Sequence, residues 1–266
     1  MWRGLSVAVV VPAYREERLL GRTLGRLPDF VDHVVVVDDA SPDGTLAVAR
    51  SCRDTRVRVL RHEQNHGVGA AIVTGYRSAL EARAELIAVM AGDDQMHPDD
   101  LAALLEPVAS GRADYAKGNR FLHPDRRVMP LERRAGGMLL SALTRVATGL
   151  TIDDSQCGFT VAHAEALRAV PLEELWPRFG YPNDLLGMLA ARGLRAVDVP
   201  VRPVYADERS GIRPWHFATV AGVVARRWWL ERQRARSGMG GAGPARRPLG
   251  LADATDARAT AQALDL

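Results

Sequence analysis

The sequence predicts an α/β fold, a Rossmann-like and mostly parallel central sheet flanked by helices, with an amphipathic helix towards the C-terminal end. Three observations carry this. Short β-branched apolar runs alternate with segments of helical periodicity through the first hundred residues. The runs end in proline or in acidic pairs rather than in hairpin turns. The spacing between runs leaves room for a helical crossover, which requires parallel strands joined in the right-handed sense.

Taken in order, Leu5–Val11 is an uninterrupted apolar run stopped by Pro12, as a strand buried on both faces should read. Leu19, Leu20, Leu24 and Leu27 give a helix over Glu16–Leu27. His33–Val37 is a second strand, ending in Asp38-Asp39. Ser41-Pro42-Asp43-Gly44 is a turn in which Asp43 can cap a helix through about Ser51. Arg56–Arg61 is a third strand, Gly67–Ala82 a third helix and Leu86–Met90 a fourth strand. In such a sheet ligands sit beyond the carboxyl ends of the strands. Pro12-Ala13-Tyr14, Asp38-Asp39 and Asp93-Asp94 all fall there, so one crevice should collect them.

The second half is less regular. Helices are expected over Pro98–Ala109, Arg133–Gly149, near Asp184–Arg192 and over Trp215–Arg234, and strands over Asp114–Gly118, Cys157–Ala162 and Ala196–Val201. The expected organisation is a catalytic α/β domain over 1–214, a basic amphipathic helix over 215–236 and a disordered tail over 237–266, where glycine and small residues dominate.

Composition excludes several classes. The chain has 266 residues, is 47% hydrophobic and 25% charged, and so can bury a full core. Two cysteines, Cys52 and Cys157, allow no disulfide framework or four-cysteine zinc site. Neither an export signal nor an apolar run long enough to span a bilayer is seen, which predicts a cytoplasmic protein. The net charge of +3 is carried mainly between Arg226 and Arg236, where five arginines face Glu231 alone. Phe217, Val220, Val224 and Trp228 form an apolar stripe on that helix, with Trp215 and Trp229 beside it. Such a helix either packs on the domain or lies in an anionic bilayer interface on the inner face of the cell membrane.

The acidic pairs are the first candidates for chemistry. A carboxylate at Asp39 can cap a turn or accept hydrogen bonds from a ribose or base. Adjacent acids in Asp93-Asp94-Gln95 repel each other unless a divalent cation is bound, and hard oxygen ligands suit Mg²⁺ or Mn²⁺. Gly67-Val68-Gly69 lacks the third glycine of a dinucleotide fingerprint, Ile72 standing in its place, which argues against a Rossmann dehydrogenase.

Three segments in series, Val9-Val10-Val11-Pro12-Ala13-Tyr14-Arg15-Glu16-Glu17, Val36-Val37-Asp38-Asp39-Ala40-Ser41-Pro42-Asp43-Gly44-Thr45 and Ala91-Gly92-Asp93-Asp94-Gln95-Met96-His97-Pro98, resemble glycosyltransferase family 2. Within it the chain is similar to the dolichyl- and polyprenyl-phosphate sugar synthases, over about residues 5–215. The resemblance implies a GT-A fold, a nucleotide-diphosphate sugar donor, a divalent metal (Mg²⁺ or Mn²⁺) and inversion at the anomeric carbon. It implies that Pro12, Ala13, Tyr14 and Glu16 line the base and ribose pocket, that Asp39 contacts the base, and that Asp93 and Gln95 serve the metal. The first acid of the family's metal motif is replaced by Ala91, which should weaken metal binding unless Asp94 compensates. Arg120 and Arg134 match arginines on the phosphate and acceptor side, and Asp154 lies in the Asp154–Phe159 segment that resembles the acceptor-side motif. Arg209 and Arg213 belong to a segment resembling a loop that closes over the donor.

Asp184 occupies the place of the general base in relatives that act on hydroxyls, although a helix cap would explain it equally. A lipid phosphate is already anionic at neutral pH and needs no base. Three functions therefore stand: hexose transfer to a polyprenyl phosphate, transfer to a hydroxyl acceptor through Asp184, and a non-catalytic nucleotide-sugar-binding protein. A nucleic-acid partner is not expected.

Overall fold

The computed structural model describes residues 1–204 and 214–237, with only the backbone for 214–217. Seven strands form one sheet: β1 (Val7–Ala13), β2 (His33–Asp38), β3 (Val57–Arg61), β4 (Leu86–Val89), β5 (Tyr115–Asn119), β6 (Thr160–His163) and β7 (Ala196–Pro200). Their order is β3-β2-β1-β4-β6-β5-β7. β1 pairs in parallel with β2 and β4, β2 with β3, and β5 with β7. β6 runs antiparallel to both β4 and β5, so it alone opposes the common direction.

Eight helices are described: α1 (Leu20–Gly25), α2 (Thr45–Ser51), α3 (Val68–Glu81), α4 (Asp100–Ala109), α5 (Leu131–Thr148), α6 (Ala164–Ala169), α7 (Tyr181–Ala191) and α8 (Pro214–Arg236). Every residue of β1 is buried because helices cover both of its faces. Val7, Val9 and Val11 join a layer with Leu20, Leu24, Leu101 and Leu104 from α1 and α4. Ala8 and Val10 meet Ile72, Tyr76, Leu185 and Leu189 from α3 and α7 on the other face. This is the period of two that a pleated strand imposes.

The first strand extends beyond its expected end. Pro12 marks its expected stop, yet β1 continues to Ala13. Even-numbered residues of β1 face β4, and β4 has already ended beside Pro12, so the missing N–H breaks no strand pairing there. Helix α6 and the 3-10 turns Pro124–Val128 and Leu172–Glu174 were not expected; three to six residues are too few to show a period. Asp43 was expected to cap α2, but the N-cap is Gly44, which offers no side chain; Asp43 stands one residue earlier, where its Oδ1 accepts from Thr45 N at 3.2 Å and Thr45 Oγ1 at 2.6 Å and closes the turn into the helix.

Helix α8 shows the domain-packed arrangement at two positions of its stripe. Val220 and Val224 turn inward and pack with Leu140 of α5 and Phe179. Much of the apolar stripe is thus its seat on the domain, while Trp228 and Trp229 stay exposed.

Candidate active site

The carboxyl ends of β1, β2 and β4 are joined by backbone hydrogen bonds that continue past the strands. Asp39 N donates to Ala13 O at 3.0 Å, and Gly92 N to Pro12 O at 3.1 Å. Asp39 and Asp93 are thereby set on either side of the Pro12-Ala13-Tyr14 backbone, at one edge of the sheet. Each of Tyr14, Asp39 and Asp93 is followed by a non-glycine residue in the left-handed region: Arg15 at φ 62°, Ala40 at φ 58° and Asp94 at φ 55°. That conformation costs on the order of 1 kcal/mol per residue and turns the chain sharply back at each strand end. The same strained reversal at three adjacent strand ends builds the rim of the crevice.

On the β1 side, Pro12 and Ala13 are buried and Tyr14 is 39% exposed, with the Arg15 guanidinium 5.3 Å from its ring centre. Glu16 is half-buried, and its N–H donates to Thr45 Oγ1 at 2.8 Å.

Asp39 was expected to face a nucleotide base. Its carboxylate is instead engaged inside the protein. Oδ1 accepts from His62 Nδ1 at 2.7 Å and His66 N at 2.9 Å, and Oδ2 accepts from Gly67 N at 2.7 Å. On its other side the ring reaches Thr74, with Nε2 2.9 Å from Oγ1. Asp39 therefore shapes the loop before α3. That loop lies tight against the segment before α7. Gly67, at φ 98°, would bring an added Cβ within 2.6 Å of Pro177 O, and Ala70 N donates to that oxygen at 3.1 Å.

The acidic pair after β4 separates into two roles. Asp93 is half-buried and its Oδ1 accepts from Gln95 N at 3.1 Å, closing a tight turn. Burial raises the Tyr181 phenol, and the charge of Asp93 pushes the same way, so Asp93 lies within electrostatic reach of the first residue of α7. Asp94 faces α1, where Arg22 and Arg26 hold its two oxygens at 2.8 and 3.1 Å. Two guanidiniums already satisfy this carboxylate, so it does not take over for Ala91. Met96 fills the space there: its Sδ accepts from Ala91 N at 3.3 Å, and its methyl would meet a Cβ on Gly158 at 3.1 Å. Among the described residues no three His, Cys, Asp or Glu side chains cluster as a ready-made metal site. Asp93 and Gln95 supply hard oxygen donors, and a cation held there would need the remaining ligands from elsewhere.

The residues expected on the acceptor side gather at the end of β5. Arg120 Nε and Nη2 grip Asp154 at 2.8 and 3.0 Å, and Arg120 N adds a third bond at 3.1 Å. Burial alone would raise the Asp154 carboxyl, but Arg120 outweighs it and holds the group below the usual range. Beneath them Lys117, the sole lysine, is fully buried and donates to Cys157 O. Burial lowers its ammonium pKa and raises that of the Cys157 thiol. Asp198 ties this region together, accepting from Asn119 Nδ2 at 2.8 Å and Asp153 N at 2.6 Å. Burial pushes its carboxyl up to about 6, and Oδ1 has no hydrogen-bond partner. Arg134 is half-buried in the first turn of α5, whose Gly137 abuts Phe121, the neighbour of Arg120.

Asp184 is neither cap nor exposed base. It is 0% exposed in the first turn of α7, which begins after Gly180 at φ 103°. Its Oδ1 accepts from Arg227 Nε at 2.8 Å, and Oδ2 from Arg227 Nη2 at 3.0 Å and Trp176 N at 2.8 Å. A carboxylate sealed in this way cannot accept a proton from an incoming hydroxyl. Arg209 and Arg213 lie outside the described residues, as do residues 238–266 of the expected tail. Sequence reading missed Arg227, which it grouped with surface arginines; the small Gly187 facing it on α7 was the available sign.

One further surface stands out. Leu131, Met138, Leu139, Leu143 and Val146 are exposed, at 38% to 86%, along a single face of α5. The inward face of the same helix carries Leu140, Ser141 and Thr144. An 18-residue helix with its larger apolar side turned outward is costly in water unless something covers it. No described helix is long and apolar enough to cross a membrane.

Comparison with known proteins bears on this geometry. The sequence model described as "Glycosyl transferase family 2" matches residues 8–171. An undecaprenyl-phosphate mannosyltransferase from Micrococcus luteus is 33% identical over 88% of this chain and 100% of its own length. A UDP-N-acetylglucosamine–dolichyl-phosphate N-acetylglucosaminyltransferase from Methanococcus voltae is 27% identical over 76% of this chain and 86% of its own. Among solved structures, glucosyl-3-phosphoglycerate synthase from Mycobacterium tuberculosis with bound UDP superposes with a TM-score of 0.64 at 23% identity, over 85% of this chain and 81% of that one. That likeness concerns the fold.

Proposed function

Since the chain belongs to glycosyl transferase family 2, we propose that it transfers a hexose from a nucleotide-diphosphate sugar to a polyprenyl phosphate, inverting the anomeric carbon. The observation that carries the choice of acceptor is the state of the two acceptor-side carboxylates. Asp154 is locked to Arg120 and Asp184 to Arg227, both with 0% exposure. A hydroxyl nucleophile must lose a proton in the transition state, and neither carboxylate is free to take it. A phosphate oxygen is already charged at neutral pH, since its second pKa lies near 6, so it needs positioning rather than deprotonation. The relatives named for undecaprenyl and dolichyl phosphate point to the same class of acceptor.

In this reading the donor's nucleoside rests against Pro12, Ala13 and Tyr14, and Asp39 holds the loop that walls its other side. Asp93 and Gln95 would hold Mg²⁺ or Mn²⁺ against the diphosphate, supplying positive charge to the leaving group. A glucosyl-3-phosphoglycerate synthase of this fold has been crystallised with Mn²⁺ and UDP. Arg120 and Arg134 draw the acceptor phosphate to the opposite face of the sugar, their planar donors matching its oxygens. The outward apolar face of α5 and the exposed Trp228 and Trp229 rest in the headgroup boundary of an anionic membrane at its cytoplasmic side, where a lipid phosphate is found. The 215–236 helix acts as a seat on the catalytic domain as well as a membrane contact.

The test is direct. The chain is incubated with Mn²⁺, radiolabelled nucleotide sugars and short polyprenyl phosphate in vesicles. Label should pass into an organic phase as an acid-labile lipid-linked sugar. Label recovered only as free sugar or in a water-soluble glycoside would overturn the proposal.

A further inference from the structure

We propose that Arg227, more than forty residues away from any motif at the strand ends, is a positioning residue for the transfer reaction, holding the segment 174–184 against the donor side of the site. The inference rests on the reading of that site given above.

Arg227 is the largest side chain buried below 2% exposure among the described residues. Nε and Nη2 fork onto Asp184, Nη2 also donates to Glu174 O at 3.1 Å, and Nη1 donates to Glu174 Oε2 at 3.4 Å and Glu231 Oε1 at 3.2 Å. Room for it is made on α7, where a Cβ on Gly187 would come within 2.5 Å of Arg227 Cγ. A buried ion pair of this kind is no better for stability than well-packed apolar residues, so its specific geometry calls for another reason.

The contacts lead from Arg227 to the site in two directions. Asp184 Oδ2, fixed by Arg227, accepts from Trp176 N at 2.8 Å. The next two carbonyls, Trp176 O and Pro177 O, press on Gly69 and Gly67 at the start of α3, and Gly67 N is bound to Asp39. In the other direction Tyr181, three residues before Asp184, puts its hydroxyl 3.5 Å from where a Cβ on Gly158 would stand, and its phenol feels the charge of Asp93. Loss of the fork would let segment 174–184 drift and widen the space between the loop held by Asp39 and Tyr181. A displacement of about 1 Å at a positioning element can cost up to a hundredfold in rate or affinity.

The test compares the full chain with Arg227→Lys, with the neutral pair Asp184→Asn/Arg227→Gln, and with Gly187→Ala, which crowds the arginine and changes no charge. Arg168→Gln, an exposed position on α6 away from the site, is the control. UDP and GDP are titrated with Mn²⁺ by calorimetry, release of nucleoside diphosphate from the donor gives KM and kcat, and amide exchange is followed over 176–181. The expected result is a rise of about tenfold in donor KM and in nucleoside-diphosphate Kd, kcat within about threefold, and faster exchange at Trp176, with the control unchanged. A purely stabilising role would lower apparent kcat with the unfolded fraction and leave KM, Kd and exchange in the folded molecules as in the wild type; that outcome overturns the inference. Failure of the wild-type chain to bind either nucleoside diphosphate would refute the donor site instead. Exchange at 176–181 would then decide on Arg227 alone, faster exchange upholding it and unaltered exchange rejecting it.

Discussion

Asp39→Asn separates a carboxylate that reads a nucleotide from one that builds the wall beside it. The side chain is 2% exposed and accepts two backbone N–H groups and the His62 ring, on two different oxygens. An asparagine amide has one oxygen. Placed on the Oδ1 side, it leaves its NH₂ facing Gly67 N–H; flipped, it faces His66 N–H and His62. One donor or more is stranded, and the surviving bonds lose their charge. A hydrogen bond to a charged group contributes about 1.5–3 kcal/mol, and a stranded buried donor costs about 1–3 kcal/mol. The expected loss is about 3 kcal/mol. For a chain of this size that is roughly 6–12 °C in Tm, at 2–4 °C per kcal/mol. The assay is a thermal scan with no nucleotide present, followed by UDP and GDP titration at a temperature where the variant is folded. Both stability and affinity should fall. A Tm within about 2 °C of wild type, with only the affinity reduced, would refute the internal role and restore Asp39 as a base contact.

Other substitutions probe the remaining parts of the account. Asp93→Ala should abolish the Mn²⁺ enhancement of nucleoside-diphosphate binding, whereas Asp94→Ala, which frees two exposed arginines, should keep it and cost less than about 1 kcal/mol in stability; calorimetry with and without Mn²⁺ distinguishes them. Asp198→Asn should stabilise the protein above pH 6. Because the folded carboxyl is raised to about 6, the native state binds the extra proton between about pH 4 and 6, so wild-type stability declines as pH climbs through that window. The gain should be on the order of 2 kcal/mol at pH 7.5 and absent at pH 4, read as Tm against pH. Leu139→Glu/Val146→Glu should leave Tm within about 2 °C, since both side chains face solvent, and should reduce binding to anionic vesicles at least tenfold; each apolar side chain contributes about 1.5–3 kcal/mol when it leaves water. Unchanged flotation with vesicles would remove α5 from the membrane contact.

Much of the first half of the fold was legible because a strand buried on both faces must read as an unbroken apolar run. Val7–Val11 and Val34–Val37 do so, and the Pro12-Ala13-Tyr14 segment after the first and the Asp38-Asp39 pair after the second mark the sheet edge where the crevice lies. What the sequence could not reveal was the direction of a side chain after a strained turn. Asp93 and Asp94 are chemically alike and adjacent, yet the left-handed backbone at Asp94 puts them in different surroundings. Asp184 and Arg227 are separated by 43 residues, and no local pattern announces such a pair. Periodicity likewise shows that a helix has an apolar face but not which way it points. Val220 and Val224 of α8 belong to a stripe whose pattern suits either the domain or a membrane, and they pack inward, while the outward face of α5 reads like any other amphipathic segment.

The proposed reaction turns on an acceptor that brings its own negative charge to a site whose two nearby carboxylates are sealed by arginines. The decisive measurement is transfer to a polyprenyl phosphate set beside transfer to the matching free polyprenol, in the same vesicles and with the same donor. Sugar should reach the phosphate and leave the alcohol untouched across pH 6 to 9. Comparable transfer to the alcohol would mean that a proton acceptor is at work after all, and the assignment of the acceptor would be wrong.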